Sequence, residues 1–117
     1  MEPERMTTDE YAALLAKETK ARGPQPEAHI KQQEKAWLRL HGWLVIPIFQ
    51  GAKGLPATVC KGISDFIILR AGQVIFLEVK TEKGRQSDNQ RNFQADVESH
   101  GGVYRISRSI DDLADLA

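Results

Sequence analysis

Two carboxylates and a lysine stand in a stretch of the sequence that has the pattern of a β-hairpin. The runs 65–69 and 74–80 are rich in β-branched and aromatic residues, and four turn-type residues separate them. A loop of two or four residues gives three cross-strand pairs: Leu69 with Val74, Ile67 with Phe76, and Asp65 with Glu78. Directly opposed like charges destabilise a sheet, because their side chains are only about 5 Å apart. The pattern therefore predicts a cation between Asp65 and Glu78, and an odd loop length would break this register.

The chemistry of this predicted site follows from its ligand atoms. Carboxylate oxygens suit Mg²⁺ or Mn²⁺. Because side chains alternate faces along a strand, Lys80 shares a face with Glu78 and projects beside the expected cation. In that position Lys80 could hold or deprotonate a water molecule bound to the cation.

A helix predicted over 27–41 precedes the hairpin and carries a third acidic candidate. Gly42 ends this helix, and its inward stripe consists of residues at helical spacing: Ile30, Trp37, Leu38 and His41. Glu34 lies on the same stripe, where charged residues are rare unless they are paired or bound to a cation. Two interpretations remain open. Glu34 either reaches water or pairs with Lys31 or Lys35 at the edge of the stripe, or it belongs to the acidic site.

A strand and a loop are predicted between this helix and the hairpin. The apolar run 43–49 is typical of a strand, and Pro47 argues for a sheet edge or a bulge because it lacks a backbone donor. The segment 50–61 has no clear period and is predicted to be a mobile loop. Its Lys53 and Lys61 could contact a phosphate backbone, although a solvated lysine is the simpler interpretation of each.

A polar, basic connection over 81–86 leads from the hairpin into a second helix. Ser87 and Gln90 have the spacing of a capping box at its start. The helix then runs to residue 99 or 100 and is followed by the last predicted elements: a strand over 103–107 and a short tail helix capped by 109–112. Because Gln90 lies one turn before the apolar Phe93, it faces the sheet, and capping and a polar contact in the site are both open roles.

The first 26 residues are predicted to form an arm separate from the main domain. Thr7 and Glu10 make a capping box before apolar residues at helical spacing, which predicts a short amphipathic helix. The segment 24–26 then favours an extended linker, because each proline pushes the preceding residue out of helical geometry. The predicted organisation is a helical arm with its linker over 1–26 and one domain over 27–117.

Length and composition fit one compact domain. The chain has 117 residues, with 16 basic and 16 acidic residues. Its net charge is therefore zero and does not by itself indicate a polyanionic partner. The single cysteine, Cys60, excludes an intrachain disulfide and a cysteine-rich zinc site. No stretch has the pattern of a signal peptide or a membrane span. We expect a cytoplasmic protein with no membrane partner and no organic cofactor.

The order helix, strand, hairpin, helix, strand, combined with three motifs, resembles the PD-(D/E)xK nuclease superfamily: Gly62-Ile63-Ser64-Asp65, Glu78-Val79-Lys80 and Gln90. Within that superfamily the chain is most similar to the virus-type replication-repair nuclease (VRR-Nuc) family, over roughly 27–107. A second E-x-K, Glu18-Thr19-Lys20, has no upstream aspartate on a paired strand. Ser64 stands where the superfamily usually has proline. That proline mainly shapes the start of the strand, and the metal is held by the carboxylates, which this chain retains.

The resemblance implies a restriction-endonuclease-like α/β core, a mixed central sheet flanked by helices, with an extra N-terminal helix. It implies that Asp65, Glu78 and the backbone carbonyl of Val79 bind Mg²⁺ or Mn²⁺. Lys80 would orient and activate the attacking water. Glu34 would complete the metal environment, directly or through water, and Gln90 would steady the site.

The implied activity is metal-dependent hydrolysis of phosphodiester bonds in branched DNA such as four-way (Holliday) junctions. A homodimer would suit such a substrate, because two paired sites can cut two strands. The implied setting is the cytoplasm of a bacterium, or of the host if a phage encodes the protein. Candidate DNA contacts are the basic residues flanking the site: Lys53, Lys61, Lys83, Arg85 and Arg91. Three alternatives remain: a catalytically idle DNA-binding or assembly module of this fold, a general nicking or restriction-like endonuclease, and an unrelated α/β domain with a surface Glu78–Lys80 pair.

Overall fold

The computed structural model describes residues 8–10, 25–48 and 60–117. Its elements are, in chain order, helix α1 (Glu27–Leu40), strands β1 (Leu44–Pro47), β2 (Phe66–Arg70) and β3 (Gln73–Val79), helix α2 (Asp88–Ser99), strand β4 (Val103–Ser107) and a 3-10 helix (Ile110–Leu116). None of the helices in these ranges is long and apolar enough to cross a bilayer.

Several sequence-based predictions fall wholly or partly outside the described residues. Residues 8–10 are helical, as predicted for the arm, but the remainder of that predicted helix and the second E-x-K motif lie outside these ranges. Most of the loop predicted over 50–61, including Lys53, lies outside them as well.

The four strands form one mixed sheet in the order β1-β2-β3-β4. The first three strands pair antiparallel, whereas β4 runs parallel to β3. A parallel neighbour cannot be reached through a tight turn and needs a crossover connection, which α2 supplies. The prediction of a mixed α/β sheet flanked by helices is confirmed.

The hairpin between β2 and β3 closes with a two-residue turn. Ala71 has φ 50° and Gly72 has φ 81°, so both turn residues are left-handed, as the type I′ hairpin turn requires. This turn fixes the register of the pairs that follow: Arg70 with Gln73, Leu69 with Val74, Ile67 with Phe76, and Phe66 with Leu77. The predicted register is therefore confirmed.

Helix α1 and the 3-10 helix cover one face of the sheet and build the main core with it. Alternate residues of β2 and β3 point to this face, and the buried cluster includes Phe66, Ile68, Ile75, Leu77 and Val79. From α1, Trp37 and Leu38 join the cluster, and the 3-10 helix adds Leu113 and Leu116. The apolar stripe predicted for the first helix is confirmed, although His41 lies just past its end and is half-buried against the Trp37 ring.

Helix α2 packs on the opposite face, above β3 and β4. Phe93 meets the rings of Phe76 and Tyr104 edge-on, with centroids 5.6 and 6.2 Å apart. No described helix packs above β1 and β2 on this face. Three apolar side chains of the β1–β3 half are consequently exposed: Leu44 (59%), Ile46 (39%) and Val74 (41%).

Two predicted elements differ in length or type from those observed. The strand predicted over 43–49 is observed as β1, Leu44–Pro47. Pro47 is the last residue of this edge strand, a position that tolerates proline because no backbone donor is needed there. The predicted tail helix is a 3-10 helix that extends to Leu116. Its last turn is held by Trp43, whose indole N–H donates to the Leu116 carbonyl over 2.9 Å.

Candidate nuclease site

Asp65 and Glu78 face each other at the end of the hairpin, one step beyond the Phe66–Leu77 pair. Asp65 Oδ2 accepts the backbone N–H of Val79 over 2.8 Å, which ties the start of β2 to the end of β3. Glu78 is 1% exposed although it is ionisable. Sequence reasoning placed these two carboxylates together, and the structure does the same.

Glu78 is held from two sides. Its Oε1 accepts the side-chain N–H of Gln90 over 3.1 Å and lies 3.9 Å from the Lys80 ammonium. Burial raises the pKa of Glu78 to about 8, and the neighbouring carboxylate of Asp65 adds to the rise. Lys80 acts in the opposite direction, but it does not outweigh burial. In the absence of a divalent cation, Glu78 therefore holds a proton near neutral pH.

Gln90 performs both roles that the sequence left open. While its side-chain N–H donates to Glu78, its Oε1 accepts the backbone N–H of Ser87 over 2.8 Å. The Ser87 hydroxyl in turn accepts the backbone N–H of Gln90, which completes the predicted capping box. The start of α2 is therefore fastened directly to the acidic residue at the end of β3.

Gly62 brings the segment that carries Asp65 against the same helix start. Its φ is +78°, and a Cβ at this position would lie 2.2 Å from the carbonyl oxygen of Asn89. Only glycine permits both this left-handed geometry and this close approach. The Gly-Ile-Ser-Asp motif thus positions Asp65 partly by packing Gly62 against α2.

Ser64, which replaces the proline usual in the superfamily, is fully buried. Its hydroxyl donates to the carbonyl of Phe66 two residues on, over 3.0 Å. This local hydrogen bond restrains the backbone on either side of Asp65. The serine therefore offers a different means of shaping the start of β2.

Lys31 is a member of this site that sequence reasoning did not place there. Its Nζ lies 2.8 Å from Asp65 Oδ1 and 3.5 Å from a carboxylate oxygen of Glu27, one turn earlier on α1. Burial lowers the pKa of Lys31, but the hydrogen bonds and charges of Asp65 and Glu27 together raise it above its ordinary value. The sequence does contain a sign of this position. Glu27 and Lys31 are four residues apart and flank Ile30 on α1, so both lie at the edge of the buried stripe.

Glu34 lies apart from this cluster. It is fully buried on the α1 side of the sheet beside Ser107, which is opposite Val79 in the register and so points away from the face of Glu78. Neither of its oxygens accepts a hydrogen bond of ordinary geometry from a described residue, and the Ser107 hydroxyl donates instead to the Ser109 carbonyl. The interpretation in which Glu34 reaches water or pairs with Lys31 or Lys35 is wrong, because Glu34 has no exposed surface, Lys31 pairs with Asp65, and neither Glu34 oxygen has a partner among the described residues.

Burial also sets the ionisation of Glu34. It raises the pKa of Glu34 to about 8; the Ser107 hydroxyl lowers it in part, and the charges of Asp112 and Asp65 raise it further. A carboxyl group without an ionic partner in a buried position favours its neutral form. Glu34 is consequently protonated at neutral pH.

The basic candidates fall into two groups. Lys61, Lys83 and Arg85 are exposed, on the segments that precede Asp65 and follow Lys80 in the chain. Arg91 is already engaged, because its guanidinium pairs with Asp88 and donates to the Gln86 carbonyl over 3.0 Å.

Arg108, which sequence reasoning overlooked, shapes the basic connection that follows Lys80. One of its guanidinium nitrogens donates to the carbonyls of Thr81 and Gly84, each over 2.6 Å, and lies 3.3 Å from that of Glu82. The Gly84 N–H closes this turn by donating to the Thr81 carbonyl over 3.1 Å, and the Arg108 side chain braces the turn that presents Lys83. No spacing rule links Arg108 to this turn, because 24 residues separate Arg108 from Gly84.

The residues at the hairpin end fit a small divalent cation. Within the described ranges, no three His, Cys, Asp or Glu side chains cluster closely enough to hold a metal ion by themselves. Glu78 Oε2, however, is buried without a hydrogen-bond partner among the described residues, and an ammonium group already lies against Asp65 Oδ1. Mg²⁺ is usually bound by one or two carboxylates and keeps several waters. Asp65, Glu78 and the Val79 carbonyl offer that kind of ligand set.

This chain is similar to known proteins in both fold and sequence. A solved structure described as a VRR_NUC domain matches this chain with a TM-score of 0.60 and 21% identity, covering 77% of this chain and 91% of that one. This match shows a shared fold. Residues 6–110 match the family model of the VRR-NUC domain, so the chain belongs to the VRR-NUC family, which is a nuclease family of the PD-(D/E)xK type. Curated proteins contain no match to the chain.

The family match begins at residue 6 and so includes most of the segment predicted to be an arm. The division at residue 26 stays a prediction. The recognition of the family from its three short motifs is confirmed.

Proposed function

We propose that this protein is a divalent-metal-dependent, structure-specific DNA endonuclease that hydrolyses phosphodiester bonds in branched DNA such as four-way junctions. The observation that carries the proposal is the convergence on one buried acid, Glu78, of an opposed aspartate, a lysine at 3.9 Å and a glutamine at 3.1 Å. A buried acidic pair with perturbed proton affinity beside a lysine is a frequent signature of a catalytic site.

Asp65, Glu78 and the carbonyl of Val79 are the groups that would hold Mg²⁺ or Mn²⁺. When bound, such an ion polarises the phosphoryl group, lowers the pKa of water and offsets the charge that develops as the bond breaks. Lys80 would orient the attacking water by donating to it, since its ammonium already lies beside Glu78. Gln90 would keep the Glu78 carboxylate in a fixed orientation through its hydrogen bond.

Glu34 has a more distant proposed part. Its position beside Ser107 gives it no hydrogen bond to Asp65 or Glu78 among the described residues, so it would influence the site through its charge, which interacts with that of Asp65. A direct metal contact is not proposed for it.

DNA is the proposed substrate because exposed cations lie on the segments that lead into and out of the acidic pair. Lys83 and Arg85 follow Lys80 on the connection that Arg108 braces, and Lys61 precedes the Gly-Ile-Ser-Asp motif. Lysine and arginine side chains that neutralise phosphates supply most sequence-independent affinity for DNA. Lys53 completes the proposed set, and Arg91 would join it only by leaving Asp88.

A homodimer is proposed for cleavage of two strands of one junction. The exposed apolar side chains of Leu44, Ile46 and Val74 lie on the same face of the sheet as α2, over the β1–β2 half that no described helix covers. Contiguous apolar surface of this kind commonly marks a protein–protein contact. If a second copy covers this face, Ile46→Lys lowers the mass measured by light scattering to that of a monomer, whereas the exposed control Glu98→Lys leaves the mass unchanged.

The decisive experiment compares the wild type with Glu78→Ala and Lys80→Ala on a labelled four-way junction and on the matching linear duplex, with Mg²⁺, Mn²⁺ or EDTA. Glu98→Ala, at an exposed position in the last turn of α2, is the matched control for loss of a carboxylate. We expect metal-dependent, symmetric cuts confined to the junction, lost in both site variants and retained in the control.

Other outcomes assign the chain to the remaining classes. Cutting of both substrates indicates a general nicking or restriction-like endonuclease. Binding of the junction without a product under any cation indicates a catalytically idle DNA-binding or assembly module.

A further inference from the structure

Both oxygens of the Asp65 carboxylate already have partners within the protein. Oδ2 accepts the Val79 N–H over 2.8 Å, and Oδ1 lies 2.8 Å from the Lys31 ammonium. A backbone donor cannot be removed without breaking the strand end. The Lys31 contact is therefore the replaceable one, and its loss would free Oδ1 of Asp65 for another cation.

Lys31 has a second carboxylate within reach. Glu27 precedes it by one helical turn and lies 3.5 Å from its Nζ, and the side chain of Lys31 is one-third exposed. A lysine has a long, flexible stem and three donors, so it can leave one acid while keeping the other. The structure thus provides both a bound position for the ammonium and a position to which it can retreat.

We propose that Lys31 is a resident counter-cation of the metal centre, which holds Asp65 while the site lacks a divalent ion and moves away toward Glu27 when the ion binds. This inference rests on the proposed function. Its physical basis is that an ammonium group and a divalent cation repel each other strongly at a separation of a few ångströms, so the two cannot both stay close to Asp65 Oδ1.

Two consequences follow from this competition. Lys31 should weaken the affinity of the free protein for divalent ions, because binding has to break the Lys31–Asp65 contact. Lys31 should also stabilise the metal-free fold, because it offsets the charge of Asp65 beside the buried Glu78. Lys31 is in this sense a positioning residue that sets the ion concentration at which the site fills.

The test measures Mn²⁺ binding calorimetrically with no DNA present, so that the readout does not depend on cleavage. The variants are Lys31→Met, which keeps the stem and removes the charge, and Lys31→Arg, which keeps the charge. Lys35→Met is the matched control, since Lys35 lies one turn further along α1 and loses the same charge. We expect Lys31→Met to bind Mn²⁺ about tenfold more tightly than the wild type, while Lys35→Met and Lys31→Arg stay within about threefold.

Thermal unfolding of the same proteins gives an independent readout. In EDTA, Lys31→Met should unfold at a lower temperature than the wild type. In saturating Mn²⁺ it should gain more stability than the wild type, because a ligand that binds more tightly to the folded state stabilises it more. A merely structural contact would lower the unfolding temperature equally in both conditions.

The failure of this inference is distinguishable from that of the proposed function. If the wild type binds Mn²⁺, Glu78→Ala does not, and Lys31→Met matches the wild type, the counter-cation proposal is overturned while the metal-dependent nuclease stands. If the wild type itself binds no Mn²⁺, both are overturned.

Discussion

The side-chain N–H of Gln90 donates to Oε1 of Glu78 over 3.1 Å, across the gap between the start of α2 and the end of β3. The same side chain caps its own helix through the Ser87 N–H. Structural and proposed catalytic roles therefore reside in one residue. The amide has a separate atom for each role, so a substitution can remove one and keep the other.

Gln90→Glu is expected to separate these roles. Glutamate at this position preserves the capping box, because a carboxylate also accepts the Ser87 N–H, but it cannot donate to Glu78. Stability in EDTA should stay near that of the wild type, while cleavage falls at least about tenfold, equivalent to about 1.4 kcal/mol in the barrier. Gln90→Ala loses both contacts. It should show the same loss of cleavage and also lower the free energy of unfolding by about 1 kcal/mol.

Urea unfolding in EDTA and cleavage rates in Mg²⁺ measure the two effects separately. Wild-type cleavage by Gln90→Glu would show that the contact with Glu78 has no part in the reaction.

Glu34 is expected to make the metal-free protein less stable as the pH rises. Its pKa is about 8 in the folded chain, against 4.5 for the ordinary group, so over this interval the folded state holds a proton that the unfolded state has released. The free energy of unfolding therefore falls between about pH 4.5 and pH 8. Glu34→Gln should remove this contribution, stabilising the protein by roughly 1–3 kcal/mol at pH 8 and far less at pH 5.

Urea unfolding at the two pH values in EDTA provides the measurement, and the exposed Glu98→Gln is the control that should leave the slope unchanged. Glu78 contributes a slope of the same sign, so Glu34→Gln flattens the profile without abolishing its slope. An unchanged slope in Glu34→Gln would mean that Glu34 is ionised in the folded chain.

Gly62→Ala is expected to be much more destabilising than Gly72→Ala. Both glycines have a left-handed backbone, with φ of +78° and +81°, but only at Gly62 would a Cβ meet another part of the chain. Gly72→Ala should cost about 1 kcal/mol for the left-handed conformation alone. Gly62→Ala should cost about 3 kcal/mol or more, because the clash is with the backbone of Asn89, and it should reduce cleavage by displacing Asp65.

Chemical denaturation of both variants checks this difference. Equal losses of stability would show that the contact between Gly62 and α2 is loose in solution.

Arg108→Ala is expected to weaken DNA binding through the shape of the basic turn. Without this guanidinium, the Thr81 and Gly84 carbonyls lose their shared donor, and the turn that presents Lys83 is held only by its backbone hydrogen bond from the Gly84 N–H to the Thr81 carbonyl. We expect an affinity loss of about tenfold for a junction in EDTA. Arg105→Ala is the control, because it removes the same charge from a neighbouring position whose guanidinium pairs with Asp115 of the 3-10 helix and not with the basic turn.

Fluorescence anisotropy at several salt concentrations measures these affinities. Equal losses in the two variants would attribute the effect to net charge, which changes affinity without any specific geometry.

The local features of this protein were determined by the sequence alone. The hairpin register follows from a two-residue turn and strict alternation, which together place Asp65 opposite Glu78. The capping box at Ser87 is likewise a short-range pattern. In each case the interacting groups are close in sequence, or a fixed period connects them.

Only the tertiary structure decided which long-range partners these elements receive. Lys31 meets Asp65 because α1 crosses the end of the hairpin, and the same placement puts Glu34 behind the sheet instead of beside Glu78. The contacts of Gly62 with Asn89 and of Arg108 with the turn arise in the same way. A periodic pattern specifies which side of a helix is buried, but the angle and offset at which that helix packs depend on the whole core. Those two quantities determine which charges meet.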